Sequence, residues 1–203
     1  MISDQRSPDS TKIGGWLFRH RTSIPVPFAL ALLLVRLGEA PFSWTLVSAG
    51  AVLTLLGEAI RLCAVRHIGT ISRTRSDRLG PLVTAGPFGL VRNPLYVGNI
   101  LLWVGFAVTA RLVWMAPVVF VLLALEYHAI VKWEEDLLLA QRGENFRAYC
   151  AQVGRWIPSF QRKGREGRKE EIRFSWSETL FSERGTLLAI AAGYILLYLK
   201  TYF

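Results

Sequence analysis

The chain has 203 residues, enough for one domain with at most a small appendage. Hydrophobic residues make up 52%, the mean hydropathy is +0.32, and yet the net charge is +9. Charged and apolar residues must therefore be segregated, which argues against a soluble helical bundle and against nucleic acid as the reason for the basic balance.

Five uncharged stretches carry the apolar content, at 24–35, 40–57, 93–110, 112–125 and 185–199. Each is shorter than the ~20 apolar residues that cross a bilayer untilted, so flanking residues must supplement each one, as snorkelling Arg and Lys at helix ends allow. We read an all-α integral membrane protein of about five transmembrane helices. With the N-terminus in the cytoplasm, 21 of the 24 Lys and Arg fall on that side, leaving Arg36, Arg111 and Lys200. The positive-inside rule selects this orientation, and the charge then serves contact with anionic headgroups of membrane lipids.

In chain order, residues 1–11 are polar and read as loose. Residues 12–21 set Trp16, Leu17 and Phe18 among basic residues, which suits an interfacial approach to the membrane, so 1–23 forms a cytoplasmic or interfacial N-terminus. The first span follows, with Pro25 and Pro27 at its start; the long polar lead and Arg36 argue against a cleaved signal. Arg36 and Glu39, three residues apart, can meet on one helix face. The second span runs from about residue 42 to 65, and Gly50 and Gly57 permit close approach of a neighbouring helix. Glu58 and Arg61 stand at its cytoplasmic end. Ionisable residues at membrane depth point to function, but their spacing also allows a self-contained pair, and both readings stay open.

The connection 66–91 is basic first and then rich in Gly and Pro, and a connection of that length is usually functional. It leads into Arg92-Asn93-Pro94. Asn93 has the chemistry of an N-cap and Pro94 suits the first helical position, so the third span starts here with free N–H groups facing the loop. With Arg92 beside it, the helix start is built to receive a carboxylate or phosphate. The fourth span, 112 to about 130 with Pro117 in its first turns, is expected to continue as a helix into the cytoplasm through Lys132-Trp133-Glu134-Glu135-Asp136. Adjacent glutamates are about 100° apart on a helix, so at most one is expected to point squarely inward. Phe146, Tyr149, Val153, Trp156 and Ile157 recur at helical spacing as an amphipathic helix ended by Pro158. A charged linker and interfacial segment, 159–184, precedes the last span at 185–203, whose Tyr198, Tyr202 and Phe203 form an aromatic belt. Cys63, Cys150 and the three histidines show no ligand spacing, and no metal site is read.

The stretch LVTAGPFGLVRNPLYVGN, followed by an apolar hairpin and then KWEEDLLLAQRGENFRAYCAQVGRWIP, resembles the isoprenylcysteine carboxyl methyltransferase and phospholipid methyltransferase superfamily, integral-membrane enzymes that use S-adenosylmethionine. The resemblance covers roughly residues 80–158. It implies a cytoplasmic cofactor site between the loop before the third span and the extension of the fourth. Leu82, Val83 and Phe88 match loop positions that contact the cofactor, and Gly86 is placed with them. Asn93, Pro94, Leu95 and Tyr96 match the family's His-Pro-x-Tyr block, and Glu134 with Glu135 its acidic block. Asn93 stands where the family usually has histidine and Phe88 where it usually has tyrosine, so roles needing an imidazole or phenol there do not carry over. The family's eukaryotic protein-modifying members have an arginine about one turn before the glutamates. Ile130 stands near that place here, with His128 and Lys132 close by.

Chemistry points the same way. S-adenosylmethionine carries a carboxylate for Arg92 and the Asn93-Pro94 helix start. Its ammonium, sulfonium and ribose suit Glu134 or Glu135, and its adenine suits the face of Phe88 or Tyr96. The expected function is methyl transfer to a lipophilic or lipid acceptor entering from the bilayer, with Arg92, Tyr96 and Glu134 as the catalytic set. Glu58, His128 or the second glutamate are candidates for a base if the acceptor carries a proton. A dinucleotide-dependent sterol or enone reductase, and a non-catalytic membrane interaction protein, are the alternatives. The expected location is a prokaryotic inner membrane.

Overall fold

The computed structural model describes residues 8–69, 82–159 and 174–202. Among them seven α-helices form and no strand does: α1 (Pro8–His20), α2 (Pro25–Leu34), α3 (Trp44–Ile68), α4 (Pro94–Thr109), α5 (Met115–Arg142), α6 (Glu144–Gln152) and α7 (Trp176–Lys200). Of these, α3, α5 and α7 are long and apolar enough to cross a membrane. The other two expected spans are shorter, α2 with 10 residues and α4 with 16. The expectations for residues 1–7, for most of the connection 70–81, for the linker 160–173 and for Phe203 lie outside the described residues.

Close helix contact replaces side-chain bulk where α3 and α4 cross. A Cβ on Gly57 would stand 2.5 Å from the Gly98 carbonyl oxygen, and one on Gly105 would stand 2.7 Å from that of Gly50. The two glycines expected to permit packing thus face two glycines of α4, and the backbones touch. On the α4-facing side of α3, Thr54 is buried and accepts from the Tyr194 hydroxyl at 2.9 Å, which fastens α7 to the pair. Outward apolar residues such as Leu55 and Leu188, 67% and 68% exposed, have hydrocarbon as their natural surroundings.

At about 1.5 Å per residue the 28 residues of α5 reach about 42 Å, some 12 Å more than a bilayer's hydrocarbon core of about 30 Å. Glu134 and Glu135 stand about two turns before the C-terminal end of α5, and the helix runs unbroken through them, as expected from the sequence. α1 lies against α5, where Gly14 leaves room for the Ala129 carbonyl and the Phe18 ring meets Trp133 at 4.8 Å. Residues 8–11, read as loose, are therefore the first turn of this helix.

Three expectations need correction. Arg36 and Glu39 do not pair, because α2 stops at Leu34 and Val35 is extended. Arg36 instead donates to the Lys200 carbonyl at 3.0 Å, while Glu39 pairs with Arg111 and, at 3.2 Å, with Lys200. The three cations left over by the charge count thus gather at one end of the molecule. Second, the interfacial segment and the last span are one helix, α7, begun by a capping box in which Ser175 and Glu178 each accept from the other's backbone N–H. Third, α6 ends at Gln152, before Trp156 and Ile157, because the chain turns extended at Val153 to run beside Val91; Ile157 is 80% exposed.

Candidate functional site

Residues 82–93 are held against the end of α5 by α6 and the strand-like stretch after it. Val91 and Gly154 form a parallel bridge, Arg92 N–H donates to the Gly154 carbonyl at 2.9 Å, and Ser159 N–H donates to that of Leu90 at 2.7 Å. Tyr149, buried with Phe146 and Val153, donates its hydroxyl to the Phe88 carbonyl at 2.7 Å. Gly86 opens the short 3-10 turn Gly86–Gly89 with φ of 58°, and any Cβ there would collide with the His67 ring. It shapes the loop without lining the cavity described next.

A single cavity of about 1040 Å³ takes in the other expected residues. Leu82, Val83 and Phe88 line it from the loop, Arg92 through Tyr96 from the start of α4, and Glu134 and Glu135 from α5. Both glutamates line it, where at most one was expected to point squarely inward. They do so by turning to different partners. Glu134 accepts from the Tyr96 hydroxyl at 3.1 Å. Glu135 accepts from Arg155 Nη2 at 2.5 Å and lies 3.4 Å from Arg92 Nη2. One carboxylate between two guanidiniums leaves surplus positive charge, and Arg92 Nε is buried with no hydrogen-bond partner. Glu134 faces a neutral phenol, and Arg21 of the same cavity is the cation near enough to act on its charge.

Asn93 occupies the N-cap position of α4, but its side chain does not cap. Its Nδ2 donates to the Arg155 carbonyl at 3.2 Å, because the stretch after α6 passes close enough to claim it. Of the candidate bases, His128 is exposed and lines no part of the cavity. Ile130, at the place of the family's arginine, is fully buried. Arg155 was missed by sequence reasoning. Its only signal is a charge set between the apolar Val153 and Trp156. Tyr127, Asn99, Glu183 and Arg21 also line the cavity and were not singled out for it.

Beyond Tyr96 much of the wall is apolar, with Arg61, Asn99, Glu183 and Thr186 as its polar members. Leu102, Trp103 and Phe106 of α4 face Ile190, Gly193 and Leu197 of α7 and Leu32 of α2. The cavity is thus polar near Arg92, Glu134 and Glu135 and largely apolar between α2, α4 and α7.

The phospholipid methyltransferase family model matches residues 45–143, from the start of α3 to the end of α5. The chain is 30% identical over 152 residues to the cobalt-zinc-cadmium resistance protein CzcN of Cupriavidus metallidurans, covering 73% of this chain and 68% of that one. It is 27% identical over 147 residues to the nickel-cobalt-cadmium resistance protein NccN of Alcaligenes xylosoxydans xylosoxydans, covering 72% and 68%. The chain belongs to the isoprenylcysteine carboxyl methyltransferase and phospholipid methyltransferase superfamily. Among the described residues no group of three or more His, Cys, Asp or Glu is placed to hold a metal ion.

Proposed function

We propose that this protein transfers a methyl group from S-adenosylmethionine to a lipophilic acceptor. The observation that carries this reading is the single cavity in which a cationic half-site, Arg92 and Arg155 around Glu135, adjoins an anionic one, Glu134 with Tyr96, and then opens into an apolar passage. S-adenosylmethionine, which supplies an electrophilic methyl group, has the complementary charges. Its carboxylate suits Arg92, whose buried Nε lacks a partner, and its ammonium or sulfonium suits Glu134. Buried Phe88 offers a ring to its adenine.

The residues then position and desolvate. Arg92, Tyr96 and Glu134 hold the donor at the polar end of the cavity, while α2, α4 and α7 offer the acceptor an apolar bed. The polar end lies on the cytoplasmic side, as the distribution of Lys and Arg favours. The metal-resistance names of the two relatives supply no acceptor for this chain.

The test is incorporation of labelled methyl from S-adenosylmethionine into lipid-extractable product by purified protein in mixed-lipid vesicles. Arg92→Ala and Glu134→Ala are expected to abolish incorporation while unfolding at a similar temperature. Full turnover in either variant would sink the site assignment.

A further inference from the structure

The first helix presents two faces of different character. Lys12, Ile13, Trp16, Arg19 and His20 are all exposed and, at 100° per residue, share a sector of about 120°. Ile13 and Trp16 are 57% and 52% exposed, and the Trp16 ring stacks on that of His20 at 4.4 Å. Residues 12–23 hold no Asp or Glu. Large apolar side chains set among cations, with a tryptophan at the centre, are the composition of a helix that lies in the headgroup region of a bilayer.

Its neighbours hold the helix at that depth. Only residues 21–24 separate it from apolar α2, and Ser23 N–H donates back to the His20 carbonyl at 2.8 Å, so the two helix ends stay together. α1 crosses α5 at Ala129 and Trp133, about 21 and 27 Å from the start of α5, against a hydrocarbon core of about 30 Å.

The other face belongs to the cavity. Phe18, 3% exposed, lines it together with Arg21 and Thr22, and the Arg21 guanidinium carbon stands 4.1 Å over the Phe18 ring. That ring meets Trp133, the residue before Glu134. A Cβ on Gly14 would stand 2.6 Å from the Ala129 carbonyl oxygen, and one on Gly15 would stand 3.1 Å from Trp133 Nε1. In so close a contact α1 cannot tilt or slide without moving this wall.

We propose that the outer face of α1 docks on anionic phospholipid of the adjacent bilayer surface, and that docking fixes the cavity wall in the form that binds the donor. The coupling rests on the methyl-transfer reading, whereas the docked face does not. Anionic headgroups complement Lys12 and Arg19, while Ile13 and Trp16 enter the acyl boundary between them. A helix seated on the bilayer keeps one position, so the ligand no longer has to select a single placement of Phe18 and Arg21 from several. α1 precedes residues 45–143, so this control lies outside the family match.

The test is calorimetry on the full chain in nanodiscs of phosphatidylcholine, alone or mixed with phosphatidylglycerol. The probe is S-adenosylhomocysteine, the donor without its methyl group, which has no net charge and so is not itself drawn to an anionic surface. Its Kd is expected to be at least about threefold lower in the anionic discs. Arg19→Glu is expected to lose that gain and keep the wild-type Kd in neutral discs, since Arg19 lines no part of the cavity. Tryptophan quenching by phosphatidylglycerol brominated near its glycerol end is expected to be weaker in Trp16→Phe than in wild type. Equal Kd in the two lipids overturns the coupling, as does an Arg19→Glu variant that keeps the gain. Equal quenching in Trp16→Phe and wild type overturns the docked face. So does a dimer in neutral detergent that Trp16→Ser breaks, which assigns the face to a second copy. Quenching through Trp16 with no binding of the probe in either lipid supports the docked face and overturns the methyl-transfer reading.

Discussion

Replacing Arg155 by alanine removes one of the two guanidiniums around Glu135 and brings the cationic half-site from a net positive charge to neutrality. Arg155 makes contacts of 3.2 and 3.1 Å through Nε and 2.5 Å through Nη2, and its side chain is 32% exposed against 13% for Glu135. Charge-assisted hydrogen bonds contribute about 1.5–3 kcal/mol net, and water on the arginine side moves this pair to the lower part of that range. About 1.5–2 kcal/mol corresponds to a rise in donor Kd of about 10- to 30-fold. Arg155→Lys keeps the charge but not the fork, and is expected to recover part of the loss. Calorimetric titration of S-adenosylmethionine into wild type and both variants measures this, with thermal unfolding recorded alongside. A wild-type Kd in Arg155→Ala would refute the assignment of surplus positive charge to donor binding.

Other outcomes follow from the same geometry. Gly57→Ala puts a methyl 2.5 Å from the Gly98 carbonyl oxygen, so α3 and α4 must part by about 1 Å at a cost of about 1–3 kcal/mol. The unfolding midpoint in detergent should fall by several degrees, and an unchanged midpoint would contradict the backbone contact. Tyr96→Phe removes the donor to Glu134, and a net hydrogen-bond contribution of about 0.5–1.5 kcal/mol predicts a Kd change of about 2- to 13-fold for S-adenosylmethionine. Burial pushes the Cys150 thiol up from its ordinary value against the opposing pull of Arg92. Since only the thiolate reacts, maleimide labelling of Cys150 in a Cys63→Ser background should be slower than for free cysteine near neutral pH and accelerate as pH rises. A rate equal to free cysteine at pH 7 would contradict that burial.

Much of this was legible because single residues impose local rules. Pro94 marks the start of α4, Gly50 and Gly57 mark a helix contact, and the fourth apolar run with its charged tail marks one continuous helix, α5. Leu82, Val83, Phe88, Asn93, Tyr96 and both glutamates do share one cavity, while Gly86 acts through the backbone. What could not be read depends on partners distant in sequence. Asn93 turns to the Arg155 carbonyl, 62 residues away, instead of capping its own helix. Arg36 and Glu39 suit an i,i+3 pair only if the helix continues, and it ends before either. Arg61 pairs with Glu58 as its spacing allows, but Glu183, 122 residues on, is set beside it only by the docking of α7.

The most direct measurement is calorimetric binding of S-adenosylmethionine to detergent-purified protein, with a reduced dinucleotide phosphate titrated in parallel. Micromolar binding of the methyl donor, lost in Glu134→Ala, is the expected result. Binding of the dinucleotide in its place would move the chain to reductase chemistry, and binding of neither would contradict an enzymatic role for this cavity.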